Sequence, residues 1–215
     1  EHLGDSYYWH IFTYGEFDAS IPLPIILINE GKIDIFMSSK FHHGHSAYKG
    51  YKIATETDGE GLEGSISCVD YNGVYAGKKP WDLSITKNVF AIFIVTGLII
   101  FLVLRGAKMA KRNEGQAPKG LLTVVEYFIS FIKNDIALPS IGEHKYRKYL
   151  PYLLTAFLFI FFSNLLGLFP FFPGGANITG NIAVTLCLAV FTFVITNVSG
   201  NKDYWKHIVN MPGVP

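Results

Sequence analysis

Few side chains in this 215-residue sequence could do chemistry, and the most suggestive of them sit in apolar surroundings. The runs Val89 to Leu104, Leu150 to Phe172 and Ile182 to Val198 contain no Asp, Glu, Lys, Arg or His. The polar groups they hold at depth include Thr155, Ser163 and Asn164 in the second run and Thr185, Thr192 and Thr196 in the third, with Asn181 at the mouth of the third. Amides and hydroxyls donate and accept hydrogen bonds, but they do not exchange a proton at physiological pH. An ionisable residue inside a membrane span is the usual pointer to an ion pathway. These runs have none, so the chain cannot build a complete proton relay from them. Two readings of Asn164 stand: a bond between helices, worth roughly 0.6 kcal/mol, or the wall of a water-filled access path. Gly167, at i+3, lets another backbone come close in either case.

His42, His43 and His45 raise the question of a metal, since imidazole is a common ligand. Three histidines within four residues, with no Cys or Asp beside them, converge poorly on one ion, so solvated loop side chains and no metal are expected. Cys68 and Cys187 are too few for a disulfide framework. The sequons Asn177-Ile178-Thr179 and Asn197-Val198-Ser199 are chance-level matches, and no Walker loop, dinucleotide fingerprint, nucleophile elbow or paired zinc histidines occur. No catalytic residue and no cofactor are expected.

Half of the residues are hydrophobic and only 16% charged, which leans away from a soluble domain. A net charge of +1, with basic residues clustered beside apolar runs, gives no case for nucleic acid. The three uncharged runs, the first extended back to Ile85 to reach the length of a span, read as transmembrane helices over residues 85–104, 150–172 and 182–198. The first is flanked by Trp81 and by Arg105, Lys108, Lys111 and Arg112, and the second is preceded by Lys145, Arg147 and Lys148. A short turn over 173–181 makes the second and third spans a helical hairpin. Within the connection 105–149, Leu121 to Ala137 repeats apolar residues at helical spacing but is interrupted by Glu126, Lys133, Asn134 and Asp135. That predicts an interfacial helix over 121–137, with Pro139 marking its end. Residues 199–215 form a tail.

Residues 1–84 differ. The first 88 residues hold 12 of the 17 acids and five of the seven histidines, with no spanning run. Ile25 to Ile28 and Ile33 to Met37 flank Asn29-Glu30-Gly31-Lys32, and Ser67 to Tyr71 meets Val74-Tyr75 across Asn72-Gly73. Both read as β-hairpins, the second on the stronger turn signal. Nine Lys and Arg lie between the first and second spans, two follow the third and none lies in the turn. That places 105–149 and the tail in the cytoplasm and 1–84 outside it. The expected fold class is an all-α multi-pass membrane protein, three transmembrane helices plus one interfacial helix, with a small, partly β extracytoplasmic N-terminal region.

The run from Lys148-Tyr149-Leu150-Pro151-Tyr152-Leu153-Leu154-Thr155 to Ser163-Asn164-Leu165-Leu166-Gly167-Leu168-Phe169-Pro170 resembles subunit a of F-type ATP synthase. So does Gly175-Ala176-Asn177-Ile178-Thr179-Gly180-Asn181-Ile182-Ala183-Val184-Thr185-Leu186. The likeness covers about residues 89–200, and Ile21-Pro22-Leu23-Pro24-Ile25-Ile26-Leu27 looks like the long extension of one bacterial branch. The resemblance implies a stator subunit in the bacterial inner membrane that offers two half-channels to a rotating ring of c subunits. It also implies the lipid bilayer and the b-subunit stalk as partners, no catalytic or nucleotide site of its own, and an essential arginine on a later helix. That helix is expected beyond Pro215, so residues 1–215 are expected to be part of the subunit and not to translocate protons alone. Carried over by resemblance, Asn164 and Asn181 are the proton-path candidates. A rival class is a membrane-anchored extracytoplasmic binding or sensory protein; a permease of another kind would usually show internal repeats, and none is seen.

Overall fold

The computed structural model describes residues 5–14, 17–54, 64–70, 73–169 and 174–209. The chain forms two compact units, Glu1–Ile178 and Thr179–Pro215. Three long apolar helices are preceded by a small β-rich region, which is the fold class the sequence predicts.

Strands β1 (Tyr8–Tyr14) and β2 (Phe17–Pro22) form one antiparallel hairpin. Strands β3 (Pro24–Asn29) and β4 (Lys32–Met37) form another, in the register Pro24↔Met37, Ile26↔Ile35 and Ile28↔Ile33. Its turn is the pair Glu30-Gly31, with φ of 49° and 81°. A two-residue hairpin loop needs positive φ at both positions so that its twist matches that of the strands. Strand β7 (Trp81–Asp82) adds to the other edge of β3, giving the order β4-β3-β7. Strands β5 (Tyr51–Ile53) and β6 (Ile66–Cys68) pair separately.

Successive strand residues point to opposite faces of a sheet. On β3, Ile25 and Leu27 are fully buried and pack with Tyr7, Phe41, Tyr51 and Ile66 in the core. The alternate residues, Pro24, Ile26 and Ile28, point the other way. Of the second predicted hairpin, Tyr71 and Asn72 lie outside the described residues. On either side of them the chain does pair: Val69 bridges Tyr75, and the Asp70 N–H donates to the Val74 carbonyl.

The β region is tied to the first turn of α1 (Lys87–Arg112). A helix start leaves its first N–H groups without intrahelical acceptors. Here the Ser6 carbonyl accepts from the Lys87 N–H at 2.8 Å, an Asp5 carboxylate oxygen from the Asn88 N–H at 3.0 Å, and Thr86 Oγ1 from the Val89 N–H at 3.4 Å. Beside this cap Trp9, 1% exposed, sets its ring edge-on to Phe90 with centroids 5.6 Å apart.

At about 1.5 Å per residue, α1 is roughly 39 Å long, enough to cross the ~30 Å hydrocarbon core and carry Arg105, Lys108, Lys111 and Arg112 on its last two turns. It packs against α2 (Leu121–Phe131) at Gly106, where a Cβ would lie 2.9 Å from Val125 Cγ1. Helix α4 (Tyr146–Leu168) closes the group through aromatic contacts of Phe128 with Phe157, Phe161 and Phe162. Beyond α2 the backbone widens into a π turn, Ile132–Ala137, and continues into α3 (Leu138–Ile141). The helical path therefore ends at Gly142, with φ of 87°, and not at Pro139 as the sequence suggests. The π turn is the reason: the Leu138 N–H donates to the Lys133 carbonyl five residues back, so Pro139 sits in a new first turn, where its missing N–H costs nothing.

The second unit holds α5 (Ile182–Ser199) and α6 (Lys202–Val209). They meet across Gly200, whose missing Cβ leaves room for the Tyr204 ring, and the Tyr204 hydroxyl donates to Asn197 Oδ1 at 3.4 Å.

Candidate functional site

The described spans place their polar side chains in two ways. Most satisfy themselves against their own helix: Thr155 Oγ1 donates to the Pro151 carbonyl at 2.8 Å, Thr192 Oγ1 to Leu188 at 2.9 Å and Asn197 Nδ2 to Phe193 at 2.7 Å. In hydrocarbon an unpaired polar group costs several kcal/mol, so a bond four residues back lets such a residue sit at depth without a second helix.

Asn164 follows the same rule. Its Nδ2 donates to the Ile160 carbonyl at 2.9 Å, and the side chain is on an exposed face of α4. Its neighbour Ser163 differs: it is 1% exposed, and its hydroxyl has no partner among the described residues. One turn further, Gly167 would place a Cβ 3.3 Å from the Ala176 carbonyl oxygen, and the Gly175 N–H donates to the Leu166 carbonyl at 3.3 Å. The close approach that Gly167 permits is thus used by the chain's own segment 174–178, in which Ala176 and Ile178 are fully buried.

Asn181, in the second unit, is the N-cap of α5. Its Oδ1 accepts from the Ala183 N–H at 2.9 Å, and its carbonyl accepts from Val184 and Thr185. Capping alone accounts for an Asn here, since loss of a cap costs about 1 kcal/mol.

Between α1, α2 and α4 lies a cavity of about 160 Å³. Gly106, Leu122, Val125, Phe128 and Leu158 line it, with Glu126 as the one ionisable residue of the lining.

Two ion pairs in the β region are structural. Lys49 Nζ lies 2.8 Å from Asp34 and holds its carboxyl below the usual range, and Lys78 does the same to Glu30 at 2.8 Å. Burial pushes the Tyr7 hydroxyl up, helped by its hydrogen bond to Asp82, and burial raises the Cys68 thiol. Both cysteines are free. His43 stacks on Tyr8 with ring centroids 4.4 Å apart, and among the described residues no group of His, Cys, Asp and Glu could hold a metal ion.

Residues 89–215 match the family model of the ATP synthase A chain, and residues 1–83 match a domain of unknown function, DUF8433. The chain belongs to the ATP synthase A chain family. It is 49% identical over 134 residues to ATP synthase subunit a 2 of Chlorobaculum tepidum, covering 60% of this chain and 37% of that protein. ATP synthase subunit a of Anaeromyxobacter dehalogenans is 37% identical over 139 residues, covering 62% of this chain and 34% of that protein. The chain thus spans less than two fifths of the length of these relatives. No solved structure matches it. Membership of the A chain family agrees with the multi-pass helical architecture and with the resemblance carried by the runs around Asn164 and Asn181. Two features escaped sequence reasoning: the buried hydroxyl of Ser163 and the seating of Ala176 against Gly167. The residues were visible in the sequence, but the burial of Ser163 and the return of segment 174–178 beside Gly167 are set by packing.

Proposed function

We propose that this chain supplies part of the stationary membrane subunit of an F-type ATP synthase, forming a share of the aqueous half-channels that feed protons to a rotating ring of c subunits. The observation that carries the reading is the family match over 89–215, joined to apolar spans whose polar groups can bind water but cannot themselves carry protons. Such spans suit a passage wall, with the titrating groups elsewhere. The basic connection 105–149 faces the cytoplasm and the β region lies outside, following the distribution of Lys and Arg. The partners are the c-subunit ring, the b-subunit stalk and the bilayer of a bacterial inner membrane. Asn164 and Asn181 line the access path, and the buried Ser163 hydroxyl beside Asn164 supports placing water there.

The test is ATP-driven proton pumping by the assembled synthase in inverted membrane vesicles, read by quenching of a pH-sensitive dye. Asn164→Leu is expected to slow pumping several-fold while the complex still co-purifies intact. Asn181→Ser keeps a side-chain acceptor for the Ala183 N–H and so probes the path without removing the cap. Pumping at the parental rate in both variants removes these residues from the path.

A further inference from the structure

A sheet with one face on a core normally turns polar residues outward on the other. The β4-β3-β7 sheet does not. Its outward positions on β4 are Ile33, Ile35 and Met37, which are 64%, 65% and 42% exposed. Opposite them on β3 stand Pro24, Ile26 and Ile28. On the far side of β3, Trp81 pairs with Ile28, and the register continues as the Leu83 N–H donates to the Ile26 carbonyl and the Ile85 N–H to the Pro24 carbonyl. Three rows of three residues therefore share one face, without a charge or a hydroxyl among them. Contiguous apolar surface of this kind marks an interaction site.

We propose that this face is a lipid-docking surface, lying on the bilayer beside the point where α1 enters it. Continuity with the membrane-spanning surface is the first reason. The row ending in Ile85 is two residues from Lys87, at most ~7 Å of extended chain, so it starts at the level where the span begins. The bonds of Ser6 and Asp5 to the first turn of α1 hold the β region at that point. The second reason is composition. A docking face for a folded protein carries about one hydrogen bond per 100–200 Å² to fix its register, whereas this face offers only the indole N–H of Trp81. Tryptophan, 79% exposed here, has the amphipathic ring that settles at headgroup level. Exposed Lys79, two residues before it, places a positive charge where lipid phosphates would lie. The interfacial layer is only about 5–7 Å deep on each side, so the far row of Ile33, Ile28 and Trp81 reaches it only if the sheet lies along the surface.

Site-directed spin labelling of the full chain in vesicles of phosphatidylcholine and phosphatidylglycerol tests this. Labels are placed by Ile33→Cys, Ile35→Cys and Trp81→Cys in a Cys187→Ser background, in which Cys68 remains buried. Ala47→Cys, exposed and outside the sheet, is the reference. Oxygen partitions into lipid and a nickel chelate stays in water. Docking is expected to raise the oxygen-to-nickel accessibility ratio at 33, 35 and 81 several-fold above that at 47. A ratio equal to that at 47 would overturn the proposal, and so would labels shielded from both reagents, which would show that protein covers the face.

Discussion

Replacing Gly106 by alanine tests whether α1 and α2 are held together as described. The added Cβ would lie 2.9, 3.2 and 3.3 Å from three side-chain atoms of Val125, against the 3.5–4.0 Å of a relaxed carbon contact. Val125 cannot turn aside cheaply, because a β-branched side chain in a helix has one strongly preferred rotamer. The helices must then part by several tenths of an ångström, and overpacking of this kind costs about 1–3 kcal/mol. Opening this contact would also widen the cavity that Gly106 and Val125 line. The assay is unfolding of the chain in mixed micelles, for Gly106→Ala, Val125→Ala and the double variant. Val125→Ala removes the clashing methyls, so the double variant should be more stable than the sum of the single effects predicts, with a coupling of about 0.5–3 kcal/mol. A Gly106→Ala variant as stable as the parent, or strict additivity in the cycle, would refute the packing argument.

The junction between the β region and α1 gives two more predictions. Asp5→Ala leaves the Asn88 N–H, on a residue 4% exposed, without its acceptor, and should cost about 1–2 kcal/mol with faster amide exchange at Asn88. Tyr7→Phe removes the hydroxyl that donates to Asp82 and should cost about 1.5–3 kcal/mol in thermal unfolding of the β region. Because the folded-state pKa of Tyr7 is raised, the stability linked to its protonation is fully present below the ordinary tyrosine pKa of about 10 and is lost as pH rises beyond it. Tyr7→Phe should flatten that alkaline loss, and an unchanged alkaline profile would count against the Tyr7 environment described here.

The spans were legible because each is a long uncharged run, and the bilayer thickness turns run length into structure with little help from context. The β3–β4 hairpin was legible from two apolar runs around a glycine-bearing turn. Strands β1, β2, β5 and β7 were not; of these β7 is two residues long and β5 three, and pieces that short exist only because a neighbouring strand accepts their hydrogen bonds. Pro139 misled because its effect depends on the hydrogen-bond register ahead of it, and a single π turn changed that register.

Sequence alone determined the membrane class, the number of apolar helices and the family, since these rest on run length, charge placement and local motifs, all of which precede packing. Only the tertiary structure decided which polar groups meet their needs within one helix and which do not. Asn164 and Thr155 bond their own backbone, while Ser163 is buried without a protein partner among the described residues. It likewise decided that the segment around Ala176 fills the space beside Gly167 and that the apolar alternate residues of β4 stay exposed, with those of β3 half-buried between their neighbours. The alternation of a strand shows that two faces exist, but which one meets the core depends on what the rest of the chain lays against it.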